Sequence, residues 1–329
     1  MGRVHWWEST AVKLLVFLIG TILLACLLAP PLFWGGKHVV AQGWLLGGPF
    51  EGLHGSMDRA RFQRYFNRAV LLAVVILIGP TIRWIRSGVA KSDSRQSLRE
   101  RLLLEPNTRP VRDFALGFGL AAGLLLALMG AYLMTGWYAK EESAKGIFEI
   151  LLGAFGTALA VAFLEELVFR GAFYALLKPI LSGRVVFWTV AIVFAAVHFL
   201  QAPHDLDVGA VNWSTGFWLV GAIFAHVASL FLEWDFLLAE FAVLLAIGLV
   251  LGWAREITKS LWLPIGLHAG WVFGVKTTSP ITEMTFERGT LMPWLGDSLR
   301  VGMVSCLIVV ITWTILWVCF RKRSTAVVD

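Results

Sequence analysis

The chain has 329 residues, of which 58% are hydrophobic and only 15% charged, and its mean hydropathy is +0.74. A soluble domain carries about 25% charged residues, so a soluble globular domain is excluded. The net charge of +6 comes from basic residues crowded into short connecting segments, a pattern that orients a membrane protein rather than one that binds nucleic acid.

Repeated apolar runs of about 20 residues indicate helices, since barrel strands alternate over about 10. Sixteen tryptophans suit a chain with two membrane interfaces. The expected fold is all-α, a polytopic transmembrane helical bundle. In chain order the apolar stretches cover about 12–30, 66–86, 113–135, 147–168, 185–201, 217–232, 236–254, 261–276 and 301–320. Arg3 and Lys13 precede the first run, and Pro30–Pro31 follow it. No A-x-A cleavage signal follows, so the run reads as an uncleaved span. Residues 31–65 form a Gly-rich aromatic connector, partly interfacial, with Trp34, Gly35, Gly36, Trp44, Gly47 and Gly48.

Residues 87–112 are the longest polar stretch, in which Lys91, Arg95, Arg99, Arg101, Arg109 and Arg112 outnumber Asp93, Glu100 and Glu105. The positive-inside rule puts this loop in the cytoplasm. The same rule puts Arg321–Lys322–Arg323, behind the last span, on that side. The expected location is therefore a multi-pass protein of the cell membrane with both termini cytoplasmic. Seven spans between two cytoplasmic segments violate parity. The stretch 217–232, joined to the next by only Glu233–Trp234–Asp235, is the one expected to be re-entrant or interfacial. That leaves about eight crossing helices. Two divisions are expected: N-terminal helices with the basic loop over 1–112, and a membrane core over 113–329.

Cys26, Cys306 and Cys319 form neither a CxxC nor a metal-type spacing. No GxGxxG, P-loop or HExxH motif occurs. The chemistry concentrates elsewhere. Glu165, Glu166 and Arg170 lie in a strongly apolar chain, where each charge costs at least about 2.5–3.5 kcal/mol on insertion scales. On a helix Glu166 and Arg170 share a face, while Glu165 is turned about 100° from Glu166. This spacing predicts a structural ion pair beside a free carboxylate. The alternative is that all three charges snorkel at the end of a span closing near residue 168. His198 shares a face with Phe194, and His268 lies among Gly266, Ala269 and Gly270, which permit close packing. One carboxylate and two imidazoles on three spans can hold a divalent metal such as zinc, or hold and deprotonate a water directly. Of the other histidines, His204 reads as solvated, and His226 is a spare ligand; His5, His38 and His54 carry no role.

Glu165-Glu166-x-x-x-Arg170, Phe194-x-x-x-His198 and the Ser260-Leu-Trp-Leu-Pro-Ile-Gly-Leu-His268 run resemble the CPBP family, the CAAX-prenyl-protease and bacteriocin-processing intramembrane proteases. The likeness covers about residues 145–276, with Gly248 to Thr258 similar to the approach to the last motif. The resemblance implies an eight-helix bundle with a water-filled cavity, and hydrolysis of a peptide bond in a membrane-associated protein. It implies Glu165 as the base that activates water, His198 as its assistant, and Glu166 with Arg170 as supports of the motif. His268 would stabilise the oxyanion or bind the catalytic centre. The metal at Glu165, His198 and His268 stays open. Two departures stand out. Val272 occupies the position where the family places Asn or Asp. The gap between His198 and His268 is long, with the excess around 205–235. The expected function is thus an intramembrane endopeptidase. A weakened or inactive relative serving as a membrane binding or scaffold protein is the alternative, and an ion-coupled transporter a more distant one.

Overall fold

The computed structural model describes residues 10–48, 51–86, 100, 102–143, 146–178, 181–200, 206–230, 232–287, 289–296 and 298–324. In chain order these form α1 (Thr10–Ala41), α2 (Glu51–Asp58), α3 (Phe62–Arg86), α4 (Pro110–Met134), β1 (Tyr138–Lys140), α5 (Ile147–Glu166), a π-helical segment (Leu167–Phe173), α6 (Tyr174–Leu177), α7 (Gly183–Val197), α8 (Thr215–Leu230), α9 (Trp234–Thr258), α10 (Trp262–Thr278), β2 (Thr282–Met284) and α11 (Met303–Ser324). The expected all-α membrane bundle is thus the observed architecture, apart from a short antiparallel pairing of β1 with β2. His5, His204, Lys91, Asp93, Arg95, Arg99 and Arg101 lie outside the described residues.

Six helices among the described residues are long and apolar enough to cross a membrane: Leu15–Ala41, Phe62–Thr81, Pro110–Met134, Ile147–Leu177, Ala239–Thr258 and Met303–Phe320. That is fewer than the eight expected. The reason is length: α7, α8 and α10 have 15, 16 and 17 residues, short of the about 20 that span a hydrocarbon core. Two boundaries also move. α1 does not stop at Pro30–Pro31 but runs through both prolines to Ala41. A proline removes one backbone donor, and neighbouring helices make that tolerable in a membrane. The span that starts at Ile147 does not close near residue 168. It continues through the π-helical segment to Leu177.

The chain divides into two compact units, and the division does not fall at residue 112. One comprises Met1–Ser94 with Phe199–Ser229; the other comprises Arg95–His198 with Leu230–Asp329. In the first, Ala25, Cys26 and Ala29 of α1 pack with Phe62, Phe66, Ala69 and Ala73 of α3 and with Leu219 and Ile223 of α8. A Cβ on Gly216 would stand 2.7 Å from the Cys26 backbone, so only glycine lets α8 lie this close. The segment that lengthens the gap between the two histidines therefore packs on the N-terminal helices.

In the second unit α10 is the innermost helix. Every residue from Leu263 to Trp271 is buried, as expected of a helix that is apolar on all sides. Its Gly266, Gly270 and Gly274 recur every fourth residue and present one small-residue stripe to α4. A Cβ on Gly270 would fall 2.6 Å from the Phe118 carbonyl oxygen, and one on Gly266 would collide with the Phe114 carbonyl. From α4 the favour is returned by Gly117, where a Cβ would fall 2.8 Å from the Leu263 carbonyl oxygen. This contact fixes the depth and rotation of His268.

Candidate active site

Glu166 and Arg170 are both completely buried. Arg170 Nη1 donates to Glu166 Oε1 at 2.9 Å, Nη2 donates to the Gly248 carbonyl at 3.2 Å, and the guanidinium stacks on the Phe194 ring with 4.2 Å to its centroid. Desolvating an ion pair costs several kcal/mol per ion unless such partners compensate. The arrangement overturns the reading in which these charges snorkel at a span end, because the helix carries on past them. Arg170 lies inside the π-helical segment. A π segment bonds each N–H to the fifth residue back and widens the turn, a distortion frequent at functional sites.

The histidines are held from below. His198 Nδ1 lies 2.7 Å from the Phe194 carbonyl oxygen. A carbonyl only accepts, so Nδ1 carries the hydrogen, and in the neutral ring Nε2 keeps its lone pair. His268 Nδ1 lies 2.9 Å from Glu166 Oε1, the oxygen that already accepts from Arg170, so the same tautomer follows there. Both Nε2 atoms face one oxygen: Glu165 Oε2 is 3.8 Å from His198 Nε2 and 3.8 Å from His268 Nε2. The structure thus brings together all three residues singled out in the sequence, with Glu165 Oε2 shielded and lacking a hydrogen-bond partner among the described residues. The Glu165 side chain keeps 24% of its surface and His268 only 7%.

Residues 147–274 match the family model of the type II CAAX prenyl endopeptidases, Rce1-like. The match agrees with the resemblance drawn from the three motifs, and the six long apolar helices among the described residues are those of a multi-pass membrane protein. No curated protein matches the chain. No solved structure matches it either.

Within the Rce1-like segment, sequence reasoning missed two supports. Glu166 not only pairs with Arg170 but also holds His268, a link across 102 residues that no local spacing signals. Arg255, in a stretch noted only for its likeness to the family, is 3% exposed and lies 3.8 Å over the Tyr174 ring. It donates from Nε to the Arg170 carbonyl at 3.4 Å and from Nη2 to the Leu103 carbonyl at 3.0 Å. It therefore ties the π-helical segment to the chain that precedes α4. A buried arginine in an apolar run was the available signal.

Zinc-type coordination would use the same donor set. Among the described residues no group of three or more His, Cys, Asp or Glu side chains is arranged to hold a metal ion. Both Nδ1 atoms are engaged with oxygens, and both Nε2 atoms converge on one Glu165 oxygen. The open Nε2 atoms and the Glu165 oxygen are the groups through which a metal would be held, and they are equally the groups that can hold a water. Val272 packs with Leu159, Phe118 and Phe273 around Ala158 and Ala162, so its position offers no polar group. Trp271, three residues after His268, has its Nε1–H buried with no partner among the described residues. His226 belongs to the other compact unit.

Proposed function

We propose that the protein is an intramembrane endopeptidase in which Glu165 activates water for attack on a peptide bond of a membrane-associated substrate. The convergence of Glu165 Oε2 and two imidazole Nε2 atoms carries this reading. With both rings neutral, three acceptors face one point and none brings a proton. A water there supplies two. Glu165 accepts one of them as the hydroxyl oxygen bonds to the scissile carbonyl carbon. The tetrahedral oxyanion needs donors. Trp271 Nε1–H replaces the amide side chain that Val272 lacks, and His268 can add Nε2–H when its ring is doubly protonated. The proton taken by Glu165 then passes to the leaving amine, with His198 Nε2 as the relay, and the C–N bond breaks. Water is consumed, one product gains a carboxyl and the other an amine.

The non-catalytic scaffold reading rests on Val272 and its apolar surroundings. The two are separated by turnover of membrane-tethered peptides in proteoliposomes. The endopeptidase reading expects cleavage by the wild type and loss of about 10²–10⁴-fold in Glu165→Gln. Absence of hydrolysis across a broad peptide panel by intact wild-type protein favours the scaffold.

A further inference from the structure

α9 serves as a ruler for the second unit. α7 runs antiparallel to it: a Cβ on Gly252 would stand 3.0 Å from the Phe187 ring, and one on Gly248 3.0 Å from the Ala191 carbonyl oxygen. α11 runs parallel to it: Cys306 Sγ lies 4.0 Å from the Ala242 carbonyl oxygen, and the Trp253 and Trp313 rings are 6.3 Å apart. His198 is seven residues beyond Ala191, about 10 Å along a helix. Counting seven back from Gly248 reaches position 241. The register therefore places His198 level with Phe241 and its neighbour Glu240.

Glu240 is buried and forms an ion pair with Arg300, Oε1 to Nη2 at 3.0 Å, while the Arg300 side chain stays 48% exposed. A guanidinium has five N–H donors in a planar fork, and this contact engages one end of it. The half-exposed remainder of the side chain belongs to the pair that the register sets level with His198. Glu240 holds the fork by one of its terminal nitrogens, and a planar fork is the geometry that binds carboxylates bidentately.

We infer that Arg300, anchored by Glu240, is the substrate-binding residue of this site and receives a carboxylate of the peptide. This rests on the endopeptidase reading. The carboxylate has two sources, the C-terminal group of the peptide or an acidic side chain near the scissile bond. Three membrane-tethered peptides of one sequence distinguish them: a free C-terminal acid, its C-terminal amide, and the amide with one acidic side chain added. Cleavage by reconstituted wild-type protein is expected to show a KM about three- to tenfold lower for at least one anionic peptide than for the plain amide, with kcat little changed. Whichever peptide is preferred names the source. Arg300→Ala is expected to erase that preference, and Arg300→Lys to restore only part of it, because a point charge lacks the fork. Equal KM for all three peptides in the wild type overturns the inference while the endopeptidase reading stands, and needs no variant to fold. A preference that survives Arg300→Ala also overturns it. Failure of the wild type to cleave any peptide removes both.

Discussion

Glu165 and Glu166 are adjacent, yet their surroundings assign them opposite tasks. Glu166 is sealed in and accepts from both Arg170 and His268; Glu165 keeps part of its surface and faces two imidazoles. Glu166→Gln should therefore act first on the fold. It strands the buried Arg170 charge, a loss of about 3–5 kcal/mol, visible as a fall in the midpoint of thermal unfolding in detergent. Glu165→Gln should leave that midpoint nearly unmoved. A second residue-scale outcome concerns the oxyanion. Trp271→Phe keeps the ring in its apolar cluster with Phe194 and Leu267 and removes only the N–H. A drop of about 10–100-fold in kcat, with KM nearly unchanged, is expected if this donor stands in for the side chain missing at Val272. The ion pair of Glu166 with Arg170 could be read from the sequence because residues four apart meet on one helix face. The Glu166–His268 bond could not, since it exists only once α5 and α10 pack.

At the scale of elements, α10 is positioned by its glycines rather than by side-chain interlock. Gly270→Ala places a methyl group 2.6 Å from a backbone carbonyl of α4, and backbone cannot rotate away as a side chain can. A destabilisation of about 1–3 kcal/mol and a matching loss of activity are expected, measured on purified protein by thermal unfolding and turnover together. The small residues around His268 signalled this packing in advance. The π-helical turn at Leu167–Phe173 left no such trace, because hydrophobic spacing in a helix that is apolar on every side carries no periodicity. The passage of α1 through Pro30–Pro31 was hidden for a related reason. Proline reads as a stop in water, whereas in a membrane the surrounding helices supply the compensation.

For the whole molecule, composition alone was enough to exclude a soluble domain and to predict the helical bundle. The number of crossings was less legible, since short helices such as α7 and α10 are as apolar as full spans and differ only in where they end. Residues 199–229 show the other limit. They lie between two motif histidines in the sequence, yet residues 206–227 pack with α1 and α3, because a tertiary partner so distant along the chain leaves no pattern in the segment itself. The site nevertheless draws on α5, the π-helical segment, α7, α9 and α10, and all of these contribute to one compact unit. Within that unit, the proposed role of Glu165 as the base of a peptide-bond hydrolysis is open to a single test. The most direct measurement is single-turnover cleavage of a membrane-tethered peptide by wild-type and Glu165→Gln protein of matched thermal stability. Product from the wild type and a loss of about 10²–10⁴-fold in the variant are expected; near-equal rates from the two proteins exclude Glu165 as the base.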